Sequence, residues 1–217
     1  WVEGKIDRVD VMEKSGSKYV RVVDYKSGIK TFNLTDVYYG INMQMLIYLF
    51  AIWEKGKGKY DGSVPAGVLY MPARDAVVSS ERGTSPEDIG KEYDKMLRMN
   101  GLVLDDIDII RGMDHTASGL FIPVKIGSGG APSGSVATLK ELGDIKRHVE
   151  DLIVQMASSL KQGDVNALPK GTGGELPCRF CDYKTVCGVE EDSESVNYQK
   201  MKDREVLNMM EGGEAHG

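Results

Sequence analysis

The sequence has 217 residues, 41% of them hydrophobic, and a formal net charge of −6 at pH 7. This length and apolar content suffice for one globular domain with its own core, followed by a C-terminal appendix. No run approaches the roughly 18 consecutive apolar residues of a membrane span, so the composition excludes a spanning helix. The first residues also do not resemble a signal peptide.

The acidic total by itself argues against a nucleic-acid partner, but the charge is unevenly distributed. Residues 1–60 contain ten Lys and Arg against seven Asp and Glu, so the acidic excess lies in the remainder of the chain. A nucleic-acid enzyme needs a positive field only along the path of the strand. The net charge therefore does not exclude DNA.

Two apolar-rich runs, 4–11 and 19–26, flank a polar turn near the start of the chain. This pattern predicts two antiparallel strands. If the turn is centred between Ser15 and Gly16, opposed residues have numbers that sum to 31. The register then pairs valine with valine and opposes Asp10 to Arg21.

The same register opposes Asp7 to Asp24, and like charges so placed destabilise a sheet. Strand alternation puts Lys26 on the same face as Asp24. Two carboxylates can hold a hard divalent ion, and an ammonium beside them can meet negative charge. The set suits metal-assisted hydrolysis of a phosphodiester. An exposed edge hairpin with solvated charges is the alternative.

Helical spacing after the hairpin predicts one helix over about 36–54, with Thr35 as its N-cap. Gln44 and Tyr48 lie on a stripe of this helix next to its apolar face. We expect further strands at 64–71, 76–80 and 120–126, and helices at 86–100 with Ser85 as cap, at 136–162 and at 197–210.

Two other patterns do not indicate a site. The glycine-rich stretch 127–135 lacks a Gly-Lys-Ser/Thr ending and is expected to be a flexible loop, not a phosphate loop. The acids Asp105, Asp106, Asp108 and Asp114 lack the spacing of a calcium loop, which favours solvated side chains.

Three cysteines, Cys178, Cys181 and Cys187, are an odd and closely spaced set. They favour a reducing cytoplasm and a metal or cluster site over a disulfide framework. A structural zinc site that borrows a histidine such as His216 stays open.

The segments Gly-Lys-Ile-Asp-Arg-Val-Asp at 4–10 and Val-Asp-Tyr-Lys-Ser-Gly at 23–28 resemble the nuclease motif of the RecB family within the PD-(D/E)XK superfamily. The Gln44-x-x-x-Tyr48 element, the cysteine spacing and a closing Tyr-x-x-Met-Lys segment at 198–202 extend the resemblance. They are similar to AddB-type nuclease domains over nearly the whole chain.

The resemblance implies an α/β, restriction-endonuclease-like core with a mixed sheet flanked by helices, lacking the family's first helix and strand. We expect a nuclease domain over 1–170, a cysteine segment over 171–190, and an acidic linker, short helix and tail over 191–217. The chain, which begins without Met, is expected to be a piece of a larger protein.

The resemblance also implies roles. Asp7, Asp24 and the backbone carbonyl of Tyr25 would bind Mg²⁺ or Mn²⁺, and Lys26 would position or deprotonate the attacking water. Gln44 and Tyr48 would orient Lys26 or the DNA strand.

For the cysteines, the resemblance implies that Cys178, Cys181 and Cys187 hold a [4Fe–4S] cluster with a fourth cysteine upstream of Trp1. The implied activity is that of a DNA exonuclease in a bacterial, cytoplasmic helicase-nuclease that resects double-strand breaks. An AddA-type helicase-nuclease subunit would be its partner and would feed it single-stranded DNA.

Two alternatives remain at this point. The domain could be a non-catalytic nuclease-like scaffold or DNA-end binder, although the intact Asp, Asp and Lys set speaks against that. It could also be a stand-alone RecB-like exonuclease of the CRISPR-associated type.

Overall fold

The computed structural model describes residues 3–28, 30–189 and 193–212. The strands are β1 (Arg8–Lys14), β2 (Ser17–Lys26), β3 (Val64–Pro72), β4 (Asn100–Leu104), β5 (Val124–Ile126), β6 (Pro132–Gly134), β7 (Val136–Ala137), β8 (Lys170–Thr172) and β9 (Val196–Tyr198). The helices are α1 (Leu34–Tyr38), α2 (Gln44–Lys55), α3 (Pro86–Leu97), α4 (Ile107–Met113), α5 (Leu139–Gln162), α6 (Lys184–Cys187) and α7 (Asp203–Glu211).

Five strands form a mixed sheet in the order β1-β2-β3-β4-β7. The β1–β2 and β3–β4 pairs are antiparallel, whereas β2–β3 and β4–β7 are parallel. Two small two-stranded sheets, β5–β6 and β8–β9, lie outside it. This confirms the predicted α/β class with a mixed sheet and flanking helices.

The hairpin has the predicted register. Every pair from Arg8 opposite Val23 to Lys14 opposite Ser17 has numbers that sum to 31. Ser15 (φ 51°) and Gly16 (φ 80°) form the two-residue turn. Positive φ at both central positions gives the backbone twist that matches two antiparallel strands.

Side chains from alternate positions of the sheet enter two separate cores. Val22 and Val68 face the larger core, which the apolar sides of α1, α2, α5 and α7 complete. Val23 and Leu69 face the smaller core, together with Ile110 of α4 and residues near β5. Because side chains alternate along a strand, Asp24 lies on the same face as Val22, next to the larger core.

The prediction of a single helix over 36–54 is wrong. The chain forms α1, then a break, then α2, and the break contains Gly40 (φ 81°) and Asn42 (φ 58°) in the left-handed region. Asn33, not Thr35, caps α1 by accepting the Thr35 N–H at 3.0 Å. Thr35 is fully buried, and its hydroxyl accepts the N–H of Met201 at 3.0 Å.

Other predicted boundaries also change. Residues 76–80 form no strand, because the antiparallel neighbour of β3 is β4. The strand expected over 120–126 is shortened to β5, and part of the glycine-rich loop forms its partner β6. The helices α3 and α5 begin after Ser85 and Thr138, whose side chains cap them.

The C-terminal segment returns to the main body of the protein. β9 pairs in parallel with β8, and α7 places Val206, Leu207 and Met210 in the larger core, each at most 3% exposed. The predicted domain boundaries stay a prediction. The tail and His216 lie outside the described residues. Among the described residues, no helix is long and apolar enough to cross a membrane.

Candidate active site

Asp24 and Lys26 form the centre of the site, near the end of β2. The Lys26 Nζ lies 2.6 Å from Asp24 Oδ2, and the Asp24 side chain is only 14% exposed. The contact is an ion pair without hydrogen-bond geometry. Oδ2 is therefore a buried oxygen that accepts no hydrogen bond within the part of the chain that the structure describes. Its partner in the described chain is the Lys26 ammonium, and a carboxylate oxygen with a single partner can also bind an ion.

Asp7 lies one residue before β1, where the register continues to the position opposite Asp24. Its Oδ2 accepts the backbone N–H of Tyr25 at 3.2 Å. The Asp7 carboxylate is thus held on the backbone of β2, one residue from Asp24. The structure places both predicted carboxylates at the same end of the hairpin.

The donor set fits a hard divalent cation. Mg²⁺ is usually held by one or two carboxylates together with waters and substrate oxygens, and dedicated protein cages are uncommon for it. Asp24 offers a buried oxygen whose partner in the described chain is the Lys26 ammonium, and the exposed Asp7 leaves room for waters. Among the described residues, no three His, Cys, Asp or Glu side chains group together as a metal site.

Tyr70 is a part of the site that the sequence pattern did not reveal. It lies opposite Asp24 in the parallel β2–β3 pair, and the Lys26 Nζ is 5.8 Å from its ring centroid. Burial raises the pKa of Tyr70, and the charges of Asp24 and Asp36 raise it further. The phenol therefore stays neutral beside the carboxylate. Only the pairing of two distant strands identifies it.

Gln44 and Tyr48 lie beside the segment that leads into Asp7. Gln44 is the first residue of α2, and its Nε2 donates to the Tyr48 Oη at 2.9 Å. A Cβ at Gly4 would lie 2.4 Å from that Oη, so the Tyr48 ring packs directly on the Gly4 backbone. No hydrogen bond joins either side chain to Lys26 among the described residues, and their roles stay predictions.

Asp10 belongs to the structural part of the hairpin. Its carboxylate accepts from Arg8 Nε at 2.7 Å and from Arg21 Nε at 2.8 Å. Burial favours the neutral acid, but these two hydrogen bonds outweigh it and hold the pKa of Asp10 below its ordinary value. Its pairing with Arg21 follows the predicted register.

Three of the four acids between Asp105 and Asp114 have structural partners: Asp106, Asp108 and Asp114. Asp106 caps α4 and pairs with Lys14 at 2.9 Å. Burial raises the pKa of Asp106, but the hydrogen bonds from Lys14 and from the backbone of α4 outweigh it and hold that pKa below its ordinary value. Asp114 accepts from the Thr116 hydroxyl at 2.6 Å.

The three cysteines are all free thiols. Cys178 lies in a 3-10 turn (Pro177–Phe180), and Cys187 ends α6. Cys181 and Cys187 are exposed, and the three do not form a ligand group in the described chain. The residues present therefore do not by themselves fit a [4Fe–4S] cluster, which needs four ligands.

Comparisons with known proteins give one consistent result. The sequence pattern of the PD-(D/E)XK nuclease superfamily matches residues 2–188. Three curated relatives each bear the name of the B subunit of an ATP-dependent helicase/deoxyribonuclease. The protein of Clostridium acetobutylicum is 40% identical over 215 residues, which is 96% of this chain and 19% of the relative. The protein of Thermoanaerobacter sp. (strain X514) is 36% identical over the same shares. That of Caldanaerobacter subterraneus subsp. tengcongensis is 38% identical over 207 residues, 93% of this chain and 18% of the relative.

The chain thus spans about a fifth of the length of these relatives. The family pattern covers both candidate carboxylates and both strands of the hairpin, and it extends past Cys187. From this match and from the geometry of the hairpin, the chain belongs to the PD-(D/E)XK nuclease superfamily.

Proposed function

We propose that this domain is a Mg²⁺- or Mn²⁺-dependent DNA exonuclease, the nuclease part of a helicase-nuclease subunit that resects double-strand breaks for recombinational repair. The supporting observation is the buried Asp24 oxygen that accepts no hydrogen bond, beside the Lys26 ammonium and the anchored Asp7. The names of the relatives support DNA as the substrate.

In this proposal Asp7, Asp24 and the carbonyl of Tyr25 hold the divalent ion. When bound, the ion supplies an activated water and stabilises the charge that develops on the phosphate oxygens. Lys26 lies next to the same carboxylate, and its side chain is about one-third exposed. It orients the attacking water and offsets the negative charge of the phosphate.

Gln44 and Tyr48 have a positioning role in this proposal. Their hydrogen bond and the packing of Tyr48 on Gly4 fix the segment that delivers Asp7 to the site. The exposed Gln44 amide also presents a polar group to the strand or to Lys26.

The rest of the assembly is proposed from the relatives. Single-stranded DNA would be fed to this site by an AddA-type helicase-nuclease subunit in the bacterial cytoplasm. Cys178, Cys181 and Cys187 would hold a [4Fe–4S] cluster together with a ligand from outside this chain. Iron and sulfide analysis of an anaerobically purified parent protein tests that part: about four irons per subunit support it, and their absence contradicts it.

The nuclease proposal is tested with the full chain, a 3′-labelled single-stranded oligonucleotide and Mg²⁺. We expect Asp24→Asn to reduce cleavage by at least about 100-fold, because it removes a charged ligand while keeping the shape of the side chain. Asp151→Asn removes an equal charge from an exposed position of α5 and should cleave like the parent chain.

Circular dichroism establishes that both variants are folded. Equal background cleavage in all three proteins would reject catalysis by this chain and favour the binding-module alternative.

A further inference from the structure

A second site lies directly beside Lys26. A cavity of about 190 Å³ opens between the end of β2, the turn after β3 and the end of α3. Its lining includes five cations: Lys26, Lys30, Arg74, Lys95 and Arg98. None of its described lining residues is acidic. We call this cavity the cationic pocket.

Most of this positive charge has no anionic partner among the described residues. Lys26 pairs with Asp24, and Lys95 pairs with Glu92 on the solvent side. Lys30 donates to the neutral amide oxygen of Asn42. These contacts leave the guanidinium groups unneutralised.

The two arginines carry this unneutralised charge. Arg98 Nε donates to the carbonyl of Ile122 at 3.2 Å, which is a neutral acceptor. Arg74 Nε is buried and has no hydrogen-bond partner among the described residues. A buried donor without an acceptor is costly, and converging cations repel one another. An anion in the pocket would relieve both.

The pocket is held in shape by hydrogen bonds of its own frame. Asn100 on β4 donates to the carbonyl of Lys30 and accepts the N–H of Phe32, both at 2.6 Å. The N–H of Ala73 donates to the carbonyl of Lys26 at 2.9 Å, which fixes the turn that carries Arg74. The cations are thus presented by ordered backbone, as a binding site requires.

We propose that the cationic pocket binds a phosphate of the nucleic-acid strand adjacent to the phosphate that Asp7 and Asp24 receive. This inference rests on the proposed function and adds the path of the strand. Lys26 belongs to both sites, because it lines the pocket and pairs with Asp24. Guanidinium forks match phosphate oxygens, so Arg74 is the expected principal contact. An acidic peptide carries carboxylates in place of phosphates, so it would not supply neighbouring phosphates to this pocket and to the adjoining site.

The test measures binding, not cleavage, so that it does not depend on the nuclease assay. Anisotropy of a labelled single-stranded oligonucleotide is followed with the full chain in a chelator, between 50 and 200 mM salt. We expect Arg74→Gln to weaken binding about tenfold and to lower the slope of log K against log salt by about 0.7, the value for one phosphate contact on a single strand.

Two controls accompany it. Arg74→Lys keeps the charge and should retain the slope. Lys161→Gln removes a charge from an exposed position at the end of α5 and should bind within about twofold of the parent chain. Melting followed by circular dichroism establishes that each variant is folded.

Substrate arms identify which phosphate is bound. If the pocket binds a terminal phosphate monoester, Arg74→Gln should weaken binding only of strands that end in a phosphate. If it binds an internal phosphodiester, Arg74→Gln should also weaken binding of strands with hydroxyl ends, and neutral methylphosphonate linkages should abolish the effect. If inorganic phosphate binds through Arg74 but does not weaken binding of the strand, the pocket is a site for a free anion. That result would overturn the proposal.

The proposal is also overturned if Arg74→Gln binds DNA with the affinity and slope of the parent chain, or if the parent chain does not bind at all. If the parent chain binds DNA through Arg74 but does not cleave it with Mg²⁺, the proposed nuclease function is rejected and phosphate binding by the pocket is supported. If the parent chain cleaves DNA while Arg74→Gln binds normally, phosphate binding by the pocket is rejected and the nuclease function is supported.

Discussion

The phenol of Tyr198 donates a hydrogen bond of 3.0 Å to Oδ1 of Asp36, across 162 residues of sequence. The Tyr198 ring also stacks on Tyr39, with 4.3 Å between centroids. Asp36 accepts in addition from Asn33 at 3.2 Å and from Asn42 at 3.0 Å. One carboxylate therefore joins the C-terminal segment to the break between α1 and α2, and α2 carries Gln44 and Tyr48.

This bond predicts a stability difference that depends on pH. Burial and the bond to Asp36 raise the pKa of Tyr198 from 10 to about 12. Tyr198→Phe should lower the free energy of unfolding by about 1.5 kcal/mol at pH 7, because a bond to a charged acceptor is lost. A group whose folded pKa is raised stabilises below its unfolded pKa, so the difference should shrink as pH rises from 10 to 12. Urea unfolding of both proteins at pH 7, 10 and 12 measures it; a constant difference would contradict it.

Asp10 and Asp24 should show opposite patterns when each is changed to Asn. Asp10→Asn should lower the free energy of unfolding by about 1–3 kcal/mol and keep cleavage per folded molecule, because it weakens bonds from Arg8 and Arg21. Asp24→Asn should change stability by less than about 1 kcal/mol, because the Lys26 ammonium that it leaves unpaired is about one-third exposed and can be hydrated, yet it should lose cleavage. Urea unfolding and the oligonucleotide assay measure both.

The Asp10 effect also has a defined pH limit. Its folded pKa lies below the ordinary 3.8, so its contribution is present above that pH and is lost as pH falls through the folded pKa. The free energies of unfolding of the parent chain and of Asp10→Asn should therefore become equal as the pH falls below the ordinary pKa of 3.8 and through the folded pKa. Loss of cleavage by a folded Asp10→Asn would reject its structural assignment.

Gly4→Ala should disturb the site through Tyr48. The added methyl group would lie 2.4 Å from the Tyr48 Oη and 2.5 Å from its Cε1. Because the clash is with a ring and not with backbone, we expect the ring to move, at a cost of about 1–2 kcal/mol, and cleavage to fall. Gly129→Ala, which has nothing within 4 Å of its Cβ position, is the matched control. Equal melting temperatures and equal cleavage for the two variants would contradict the packing.

Leu207→Ala should destabilise the whole domain. Leu207 is 3% exposed and belongs to the larger core, so removing most of its side chain should cost about 2–4 kcal/mol. The neighbouring Asn208 is exposed, and Asn208→Ala should stay within about 0.5 kcal/mol of the parent chain. Thermal unfolding of the two variants measures the difference, and a small effect at Leu207 would show that α7 is not part of the core.

Local sequence determined the hairpin well. The turn residues Ser15 and Gly16 and the alternation of valines specify one register, and shifting it by one residue would move every side chain to the other face. The position of Asp7 and Asp24 at one end of the hairpin follows from that register. The metal and catalytic roles given to them stay predictions.

Tertiary pairing decided what local patterns could not. Helical periodicity runs through Gly40 and Asn42, but the bonds of Asp36 to Asn42 and Tyr198 hold a break there. Residues 76–80 have strand composition, yet the edge of β3 is occupied by β4.

The cationic pocket is the clearest limit of sequence reasoning. Lys30, Arg74, Lys95 and Arg98 lie up to 68 positions apart and share no motif. Only the packing of α3 beside the ends of the neighbouring strands β2, β3 and β4 brings them around one cavity.

The family pattern stops at residue 188, whereas the packed interior continues to Met210. The family pattern therefore marks out a shorter piece than the one that folds, although the relatives align over up to 96% of the chain. A fusion protein or an excised domain cut at residue 188 would leave the apolar sides of α1 and α5 uncovered and prone to aggregate. Engineering of this domain should keep the final helix attached.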